Sequence, residues 1–183
     1  KEENIRMNKH VETILQAAQL EKKENELNRQ LVNINDLIQG VIDSFKLQLD
    51  AKPSSVHTKF EASPSEIWID EEYFLHVLSN LIDNAIKYAK SEIDITIITK
   101  TLSNKLFITI EDKGIGMTTD TVKHIFEKFY RAHAGNIHNV KGFGLGMSYV
   151  KWVIDLHKGT IHVTSELNKG TKVEISLPMI EPK

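Results

Sequence analysis

The sequence predicts an α/β two-layer sandwich, in which helices cover one face of a mostly antiparallel mixed sheet and an amphipathic helix precedes the sheet. Two pairs of segments indicate the strands: EIDITIITKTL with NKLFITIED, joined at Ser103-Asn104, and TIHVTSEL with TKVEISLP, joined by the turn NKG. Their alternating, β-branched composition is typical of antiparallel hairpins. Apolar residues at helical spacing in residues 71–89 and 145–157 indicate the helices.

The first thirty residues contain neither Gly nor Pro and are rich in Lys, Glu, Asn and Gln. Met7, Val11, Ile14 and Ala18 are spaced by four, three and four positions, which is the seam of an amphipathic helix. The helix could pack on its own domain, but a partner helix is favoured because little else helical lies nearby in the sequence. We therefore expect residues 1–30 to belong to a helical stem or dimer and residues 31–183 to form a separate domain.

The other elements follow in chain order. LVNI indicates a short strand, and Asn35 or Asp36 is expected to cap a helix over about residues 36–51. VHTKFEA and EIWID indicate two strands around the turn SPS. Asp70 is expected to cap the helix over about residues 71–89, and a short helix is predicted over about residues 119–126.

The composition excludes several classes of protein. The 183 residues carry a formal net charge of −2, which gives no global attraction to nucleic acid or anionic membrane. The absence of Cys excludes disulfides and thiolate zinc sites. No apolar run has membrane-spanning length and no signal peptide is visible. Because the chain opens inside a helical pattern without Met, we expect a piece of a longer protein, for which membrane attachment stays open.

The helix over residues 71–89 has an unusual polar face. His76, Asn80, Asn84 and Lys87 line up opposite its apolar side, although Asn is a mediocre helix former. A carboxamide oxygen is a neutral hard ligand that suits Mg²⁺ already bound to phosphate, and Lys87 can meet a phosphate as a point charge. Taken alone, the pattern is slightly better explained as an ordinary solvated face.

Two glycine-containing segments follow this helix. Asp112 ends a strand and is followed by Gly114 and Gly116, so a carboxylate that can accept from an exocyclic amine lies beside a loop that permits close backbone approach. Gly142, Gly144 and Gly146 lead into the last helix, where backbone amides can bind phosphate. The second segment is neither a Walker A loop nor a dinucleotide-binding fingerprint. A plain turn and a flexible hinge are the respective alternatives.

The order of these motifs is more specific than any one of them. NLIDNAIKYA, Asp-x-Gly-x-Gly, IFEKFYR, GFGLG and a late KGT occur in sequence at suitable separations. Together they resemble the ATP-binding catalytic domain of the histidine kinases of two-component systems, which share the Bergerat fold with the wider GHKL ATPases. The resemblance covers residues 31–178, and residues 1–30 resemble the second helix of that family's dimerisation and phosphotransfer stem.

The resemblance implies a role for each matched position. Asn84, with Asn80 beside it, is expected to bind Mg²⁺, Asp112 to read adenine, and Thr171 to lie near the base. Phe126 and Phe129 would anchor an ATP lid over about residues 127–144, and Arg131 would lie near the phosphates. The implied ATP-binding set is Asn80, Asn84, Lys87, Tyr88, Asp112, Gly114, Gly116, Met117, Phe129, Arg131, Gly142, Phe143, Gly144, Leu145, Gly146 and Thr171.

The implied function is transfer of the γ-phosphate of Mg-ATP to a stem histidine, and from there to an Asp of a response regulator. None of the eight histidines has the sequence context of the phosphoacceptor, so the acceptor is expected on another segment, and no catalytic residue is assigned in this chain. We expect a homodimer in the longer protein, no nucleic-acid partner, and a cytoplasmic portion of an inner-membrane sensor kinase. The alternatives are a GHKL ATPase that hydrolyses ATP and a degenerate nucleotide-binding or dimerisation module.

Overall fold

The computed structural model describes residues 27–131 and 144–179 of the chain. These residues form seven strands and five helices. The strands are β1 (Arg29–Asn33), β2 (Ser54–Glu61), β3 (Glu66–Asp70), β4 (Ile93–Leu102), β5 (Lys105–Asp112), β6 (Thr160–Glu166) and β7 (Gly170–Pro178). The helices are α1 (Ile34–Ser44), α2 (Lys46–Asp50), α3 (Glu71–Lys87), α4 (Thr119–His124) and α5 (Gly146–Leu156).

The strands form two sheets. A five-stranded sheet has the order β2-β4-β5-β7-β6, in which β2 pairs parallel with β4 and the other pairs are antiparallel. A two-stranded antiparallel sheet joins β1 to β3. The predicted mostly antiparallel mixed sheet and both predicted hairpins, β4–β5 and β6–β7, are therefore confirmed. The strands on either side of the SPS turn are also present, but they lie in different sheets.

The core lies between the five-stranded sheet and the helices. Alternate residues of the central strands are buried on the helical side, including Ile95, Ile97, Ile108, Val173 and Ile175. The apolar side of α3 and the inner side of α5 complete the core, and full burial of one such side chain contributes about 1.5–3 kcal/mol. Among the described residues, no helix is long and apolar enough to cross a bilayer.

The start of α1 differs from the prediction. The cap is Asn33, whose side-chain oxygen accepts hydrogen bonds from the amides of Asn35 and Asp36 at 3.0 and 3.4 Å. The prediction that Asn35 or Asp36 caps this helix was wrong. The side-chain oxygen of Asn35 instead accepts from the hydroxyl of buried Thr99 at 2.8 Å, so it is not available to cap the helix. The predicted single helix also divides, since Phe45 leaves helical geometry between α1 and α2.

The other boundaries lie closer to their predicted places. Asp70 caps α3 as predicted, with its carboxylate accepting from the amide of Tyr73 at 3.2 Å. Residues 1–26 of the predicted stem helix lie outside the described residues. The last two residues of that predicted helix, Arg29 and Gln30, belong to β1 instead.

A buried histidine joins the start of α3 to the end of α5. The Nε2 atom of His157 accepts from the backbone amide of Asp70 at 3.0 Å, and its Nδ1 atom donates to the carbonyl of Val153 at 2.8 Å. The Asp70 carboxylate in turn accepts from the amide of Asn28 at 2.9 Å. These bonds require the neutral imidazole, because Nε2 must be unprotonated to accept.

The stability of the domain should therefore fall in mild acid. Burial lowers the pKa of His157 below the ordinary 6.5, so the unfolded chain binds this proton before the folded chain does. The stabilisation that neutral His157 contributes is complete at pH values above the pKa of this histidine in the unfolded chain. As pH falls below that value it is lost, with a slope of at most about 1.4 kcal/mol per pH unit, until the folded pKa is reached.

Urea unfolding of the wild type and of His157→Gln at pH values from about 7.5 to 5 measures this slope. Glutamine can keep one donor and one acceptor but does not titrate, so the variant should lose this part of the pH dependence. Equal slopes in the two proteins would assign the acid sensitivity to other groups.

Candidate functional site

The polar face of α3 meets the first residue of α5 at Asn80. The Nδ2 atom of Asn80 donates to the carbonyl of His76 at 2.9 Å. The amino group of the carboxamide is therefore used within the helix, and Oδ1 is left to accept from, or to coordinate, another group. A methyl group added at Gly146 would lie 2.9 Å from this Oδ1 atom. Gly146 therefore makes room for a carboxamide oxygen directly beside the N-terminus of a helix.

The N-terminus of α5 has the properties of an anion-binding site. Among the described residues no side chain accepts from its first amides, and Leu145, at the cap position, is buried. The carbonyl of Leu145 accepts from the amide of Tyr149 at 2.9 Å, which closes the first helical turn. Amides that no described side chain caps, together with the helix dipole, favour a negatively charged group at this end.

The C-terminal turn of α3 carries the other predicted residues of this helix. Asn84 is half-buried, and its carbonyl accepts from the amide of Tyr88 at 3.0 Å. Lys87 forms an ion pair with Asp83, one turn earlier on the same helix. Tyr88 is 40% exposed, and its carbonyl accepts from the amide of Ile115 at 3.0 Å. The end of α3 is thereby joined to the loop that follows β5.

Asp112 lies at the end of β5 among backbone donors. Its carboxylate accepts from the amide of Gly114 at 2.8 Å, and the amide of Thr171 on β7 lies close enough to favour the charged form. Burial raises the pKa of Asp112, while the two amides act in the opposite direction because they stabilise the carboxylate. A half-buried carboxylate with lone pairs remaining can accept from one further donor, such as an amine of a ligand.

The loop after β5 packs backbone against backbone. A Cβ at Gly116, where φ is +65°, would lie 1.9 Å from the carbonyl oxygen of Glu166, and a Cβ at Gly114 would lie 2.4 Å from that of Tyr88. The amide of Met117 donates to the hydroxyl of Ser165 at 2.8 Å. Any side chain at these two glycines would separate the loop from α3 and from the β6–β7 hairpin.

The two ends of the predicted lid are bonded to each other. The amide of Phe129 donates to the carbonyl of Gly144 at 2.9 Å, and both residues have positive φ. The side chain of Phe129 is 66% exposed, and Arg131 is exposed two residues later. Gly142 and Phe143 lie outside the described residues, as does most of the predicted lid.

Most of the predicted residues that the structure describes fall into three groups, which leave out Asn84, Lys87 and Arg131. The first group is Asn80 with Leu145 and Gly146, and the third is Phe129 with Gly144. The second group contains Tyr88, Asp112, Gly114, Gly116, Met117 and Thr171. Sequence reasoning missed Ser165, which bonds to Met117 and lies beside Thr171. It also missed the pairing of Lys87 with Asp83, a residue that lies beside the two carboxamides on α3. The spacing of four between Asp83 and Lys87 was a usable signal. Ser165 carried no local signal.

Other features do not coincide with this region. A cleft of about 580 Å³ lies among β1, α1 and α3, and none of the predicted site residues lines it. In the described part of the chain, no three His, Asp or Glu side chains are grouped so that they could hold a metal ion. A metal at the candidate site would therefore depend on the carboxamides and on its ligand.

A family model described as "Histidine kinase-, DNA gyrase B-, and HSP90-like ATPase" matches residues 69–181, which include both the α3 face and the Asp112 loop. The chain belongs to this ATPase family. The predicted Bergerat fold and the predicted relationship to histidine kinases are confirmed.

Curated relatives of this ATPase domain are sensor kinases. Sensor protein RprX of Bacteroides fragilis is 42% identical over 98% of the chain and 35% of its own length. Sensor histidine kinase YvrG of Bacillus subtilis is 29% identical over 96% of the chain and 30% of its own length. The chain thus spans about a third of the length of these relatives.

Solved structures show the same fold. Acinetobacter baumannii histidine kinase AdeS superposes with a TM-score of 0.77 and 24% identity, covering 97% of this chain and 81% of that one. Full-length ShkA, solved in complex with AMPPNP, superposes with a TM-score of 0.81 and 22% identity, covering 94% of this chain and 35% of that one.

A pair of helical glycines tests the contact between Gly146 and Asn80. Gly40 lies within α1 with nothing within 4 Å of its added methyl group, so Gly40→Ala should raise the free energy of unfolding by about 0.5–1 kcal/mol. At Gly146 the added methyl group would lie 2.9 Å from Oδ1 of Asn80, so the carboxamide must move aside. This movement would carry the Asn80 oxygen away from its place beside the N-terminus of α5.

Gly146→Ala should therefore weaken Mg²⁺-dependent binding of ADP about tenfold, whereas Gly40→Ala should leave it unchanged. Calorimetric titration with ADP, with and without Mg²⁺, measures both. Equal affinities in the two variants would show that the position of Asn80 does not matter to the nucleotide.

Proposed function

We propose that this ATPase domain binds Mg-ATP and presents the γ-phosphate to a histidine on a helical stem, from which the phosphoryl group passes to an Asp of a response regulator. The observation that carries the proposal is the Asn80 carboxamide, whose oxygen lies beside the N-terminus of α5, a helix end that no described side chain caps. A neutral metal ligand beside an anion-binding helix end suits a metal that arrives with phosphate.

The base and the phosphates would occupy opposite ends of the region. Asp112 would accept the exocyclic amine of adenine, with Gly114, Gly116, Met117 and Thr171 forming that end, and Tyr88 would lie along the nucleotide. Gly144, Leu145 and Gly146 would bring backbone amides to the phosphates, together with Gly142, Phe143 and Arg131. The segment between Phe129 and Gly144, whose ends are hydrogen-bonded, would close over the nucleotide as a lid.

The oxygens of Asn80 and Asn84 fit Mg²⁺, which would neutralise phosphate charge when bound. Lys87 has an internal partner in Asp83, so phosphate binding would exchange one anion for another at its ammonium group. Because Lys87 and Asp83 are both partly exposed, this exchange costs little.

Transfer is favoured over hydrolysis by the chemistry of position 80. Hydrolytic GHKL ATPases resemble this chain but carry a glutamate base one turn before the metal-binding Asn, and here that position holds a carboxamide. Asn80 cannot accept a proton, so this chain supplies no base for water at that point. Phosphoryl transfer mainly needs positioning and charge neutralisation, which the residues named above can supply. The nucleophile would come from the stem of a dimer.

Asp112→Asn tests the adenine end. The amide of Gly114 and the ligand amine both need an acceptor at this carboxylate, and Asn offers one oxygen in place of two. We expect the affinity for Mg-ATP to fall at least about tenfold, because a hydrogen bond to a charged group is lost. Asp155→Asn, an exposed position on α5, is the matched control and should bind as the wild type does. Unchanged affinity in Asp112→Asn would contradict the assignment of the base site.

The transfer step is tested with γ-labelled ATP and a histidine-bearing stem supplied in trans. The expected product is an acid-labile, base-stable phosphorylated stem that forms only when this chain is present. Rapid release of inorganic phosphate without a stem would instead favour the hydrolase, and failure to bind ATP at all would favour a degenerate module.

A further inference from the structure

Three polar side chains lie in one row across the end of the five-stranded sheet. Asp112 on β5 pairs with Thr171 on β7, and Thr171 pairs with Ser165 on β6. Paired residues of neighbouring strands point to the same face. Because Ile110, Val173 and Val163, two positions along each strand, are buried against the helices, the three polar side chains are on the helical face, which is the face of the candidate site.

The Ser165 hydroxyl is fully committed within the protein. Its oxygen accepts from the amide of Met117 at 2.8 Å, and it lies 2.8 Å from the carbonyl of Gly170 and 3.0 Å from the hydroxyl of Thr171. A carbonyl can only accept, so the one proton of Ser165 is donated to Gly170. The contact between the two hydroxyls then requires Thr171 to donate its proton to Ser165.

This arrangement fixes the polarity of Thr171. With its proton directed at Ser165, Thr171 presents only lone pairs to a ligand, as the adjacent Asp112 carboxylate does. Side chains of paired residues have Cβ atoms about 4.5–5.5 Å apart, a separation that the two hydrogens of one amino group can span. The end of the row is therefore an acceptor-only surface.

We propose that Ser165 is a specificity-determining positioning residue, which makes the site select a 6-amino purine over a 6-oxo purine by orienting the Thr171 hydroxyl. The inference rests on the proposed function, since it takes Asp112 and Thr171 as the base end of a nucleotide site. A 6-amino group donates to both acceptors. A 6-oxo group is itself an acceptor, so its oxygen would face the lone pairs of Asp112 and Thr171 without a proton to form a hydrogen bond to either.

Removal of the Ser165 hydroxyl should relax this selection. In Ser165→Ala the Thr171 hydroxyl loses its acceptor and can rotate to donate to a 6-oxo group, while it can still accept from a 6-amino group. The preference for ATP over ITP should fall about three- to tenfold, the equivalent of one hydrogen bond. The ratio of the two dissociation constants, measured by titration in Mg²⁺, is the readout.

Two further variants separate polarity from structure. Ser165→Thr keeps the hydroxyl and should restore the wild-type ratio. Thr164→Ala removes a hydroxyl from the neighbouring, exposed position of β6 and should leave the ratio unchanged. A general loosening of the hairpin would weaken both nucleotides together and leave their ratio intact.

An unchanged ratio in Ser165→Ala, with tight ATP binding retained, would overturn the role of Ser165 while the proposed function stands. The inference would also be wrong if the wild-type protein failed to bind Mg-ATP or bound ATP and ITP equally well. The first of these two results would also remove the proposed function.

Discussion

The candidate site depends on a contact between two stretches of backbone with no side chain between them. The loop after β5 touches the β6–β7 hairpin at two points, where a Cβ at Gly116 or at Gly170 would lie 1.9 Å from a carbonyl oxygen. At both positions φ is positive, which glycine adopts at no steric cost. This contact brings the amide of Met117 to the hydroxyl of Ser165, which strand pairing already places beside Thr171 and Asp112. The geometry of the proposed base end therefore depends on the close approach.

A second constraint holds the two helices of the site antiparallel. Asp70 and His157 join the start of α3 to the end of α5, while Asn80 and Gly146 meet at the opposite end of the pair. Between them Tyr73, Trp152 and Tyr149 pack their rings at centroid distances of 5.5 and 5.7 Å. The helix that carries the carboxamides is therefore packed along α5, the helix that begins at Gly146.

Much of the fold could be predicted because its signals are local. Alternation gives the β4–β5 and β6–β7 hairpins, and Asp70 precedes α3 as an N-cap. The errors came where tertiary contacts override local preference: Asn35 is taken by buried Thr99, so Asn33 becomes the cap of α1. The parallel pairing of β2 with β4 could not be predicted, because no local pattern specifies which distant strand becomes a neighbour.

The sequence alone determined the order and spacing of Asn80, Asn84, Lys87 and Asp112, and the family resemblance carried by that order predicted their chemistry. The tertiary structure decided how these groups are oriented. His157 reaches Asp70 across 87 positions, and Ser165 reaches Met117 across 48. Such pairs depend on strand order and on backbone approach, which are properties of the packed chain. The direction in which a hydroxyl donates can be inferred only when all of its neighbours are in place.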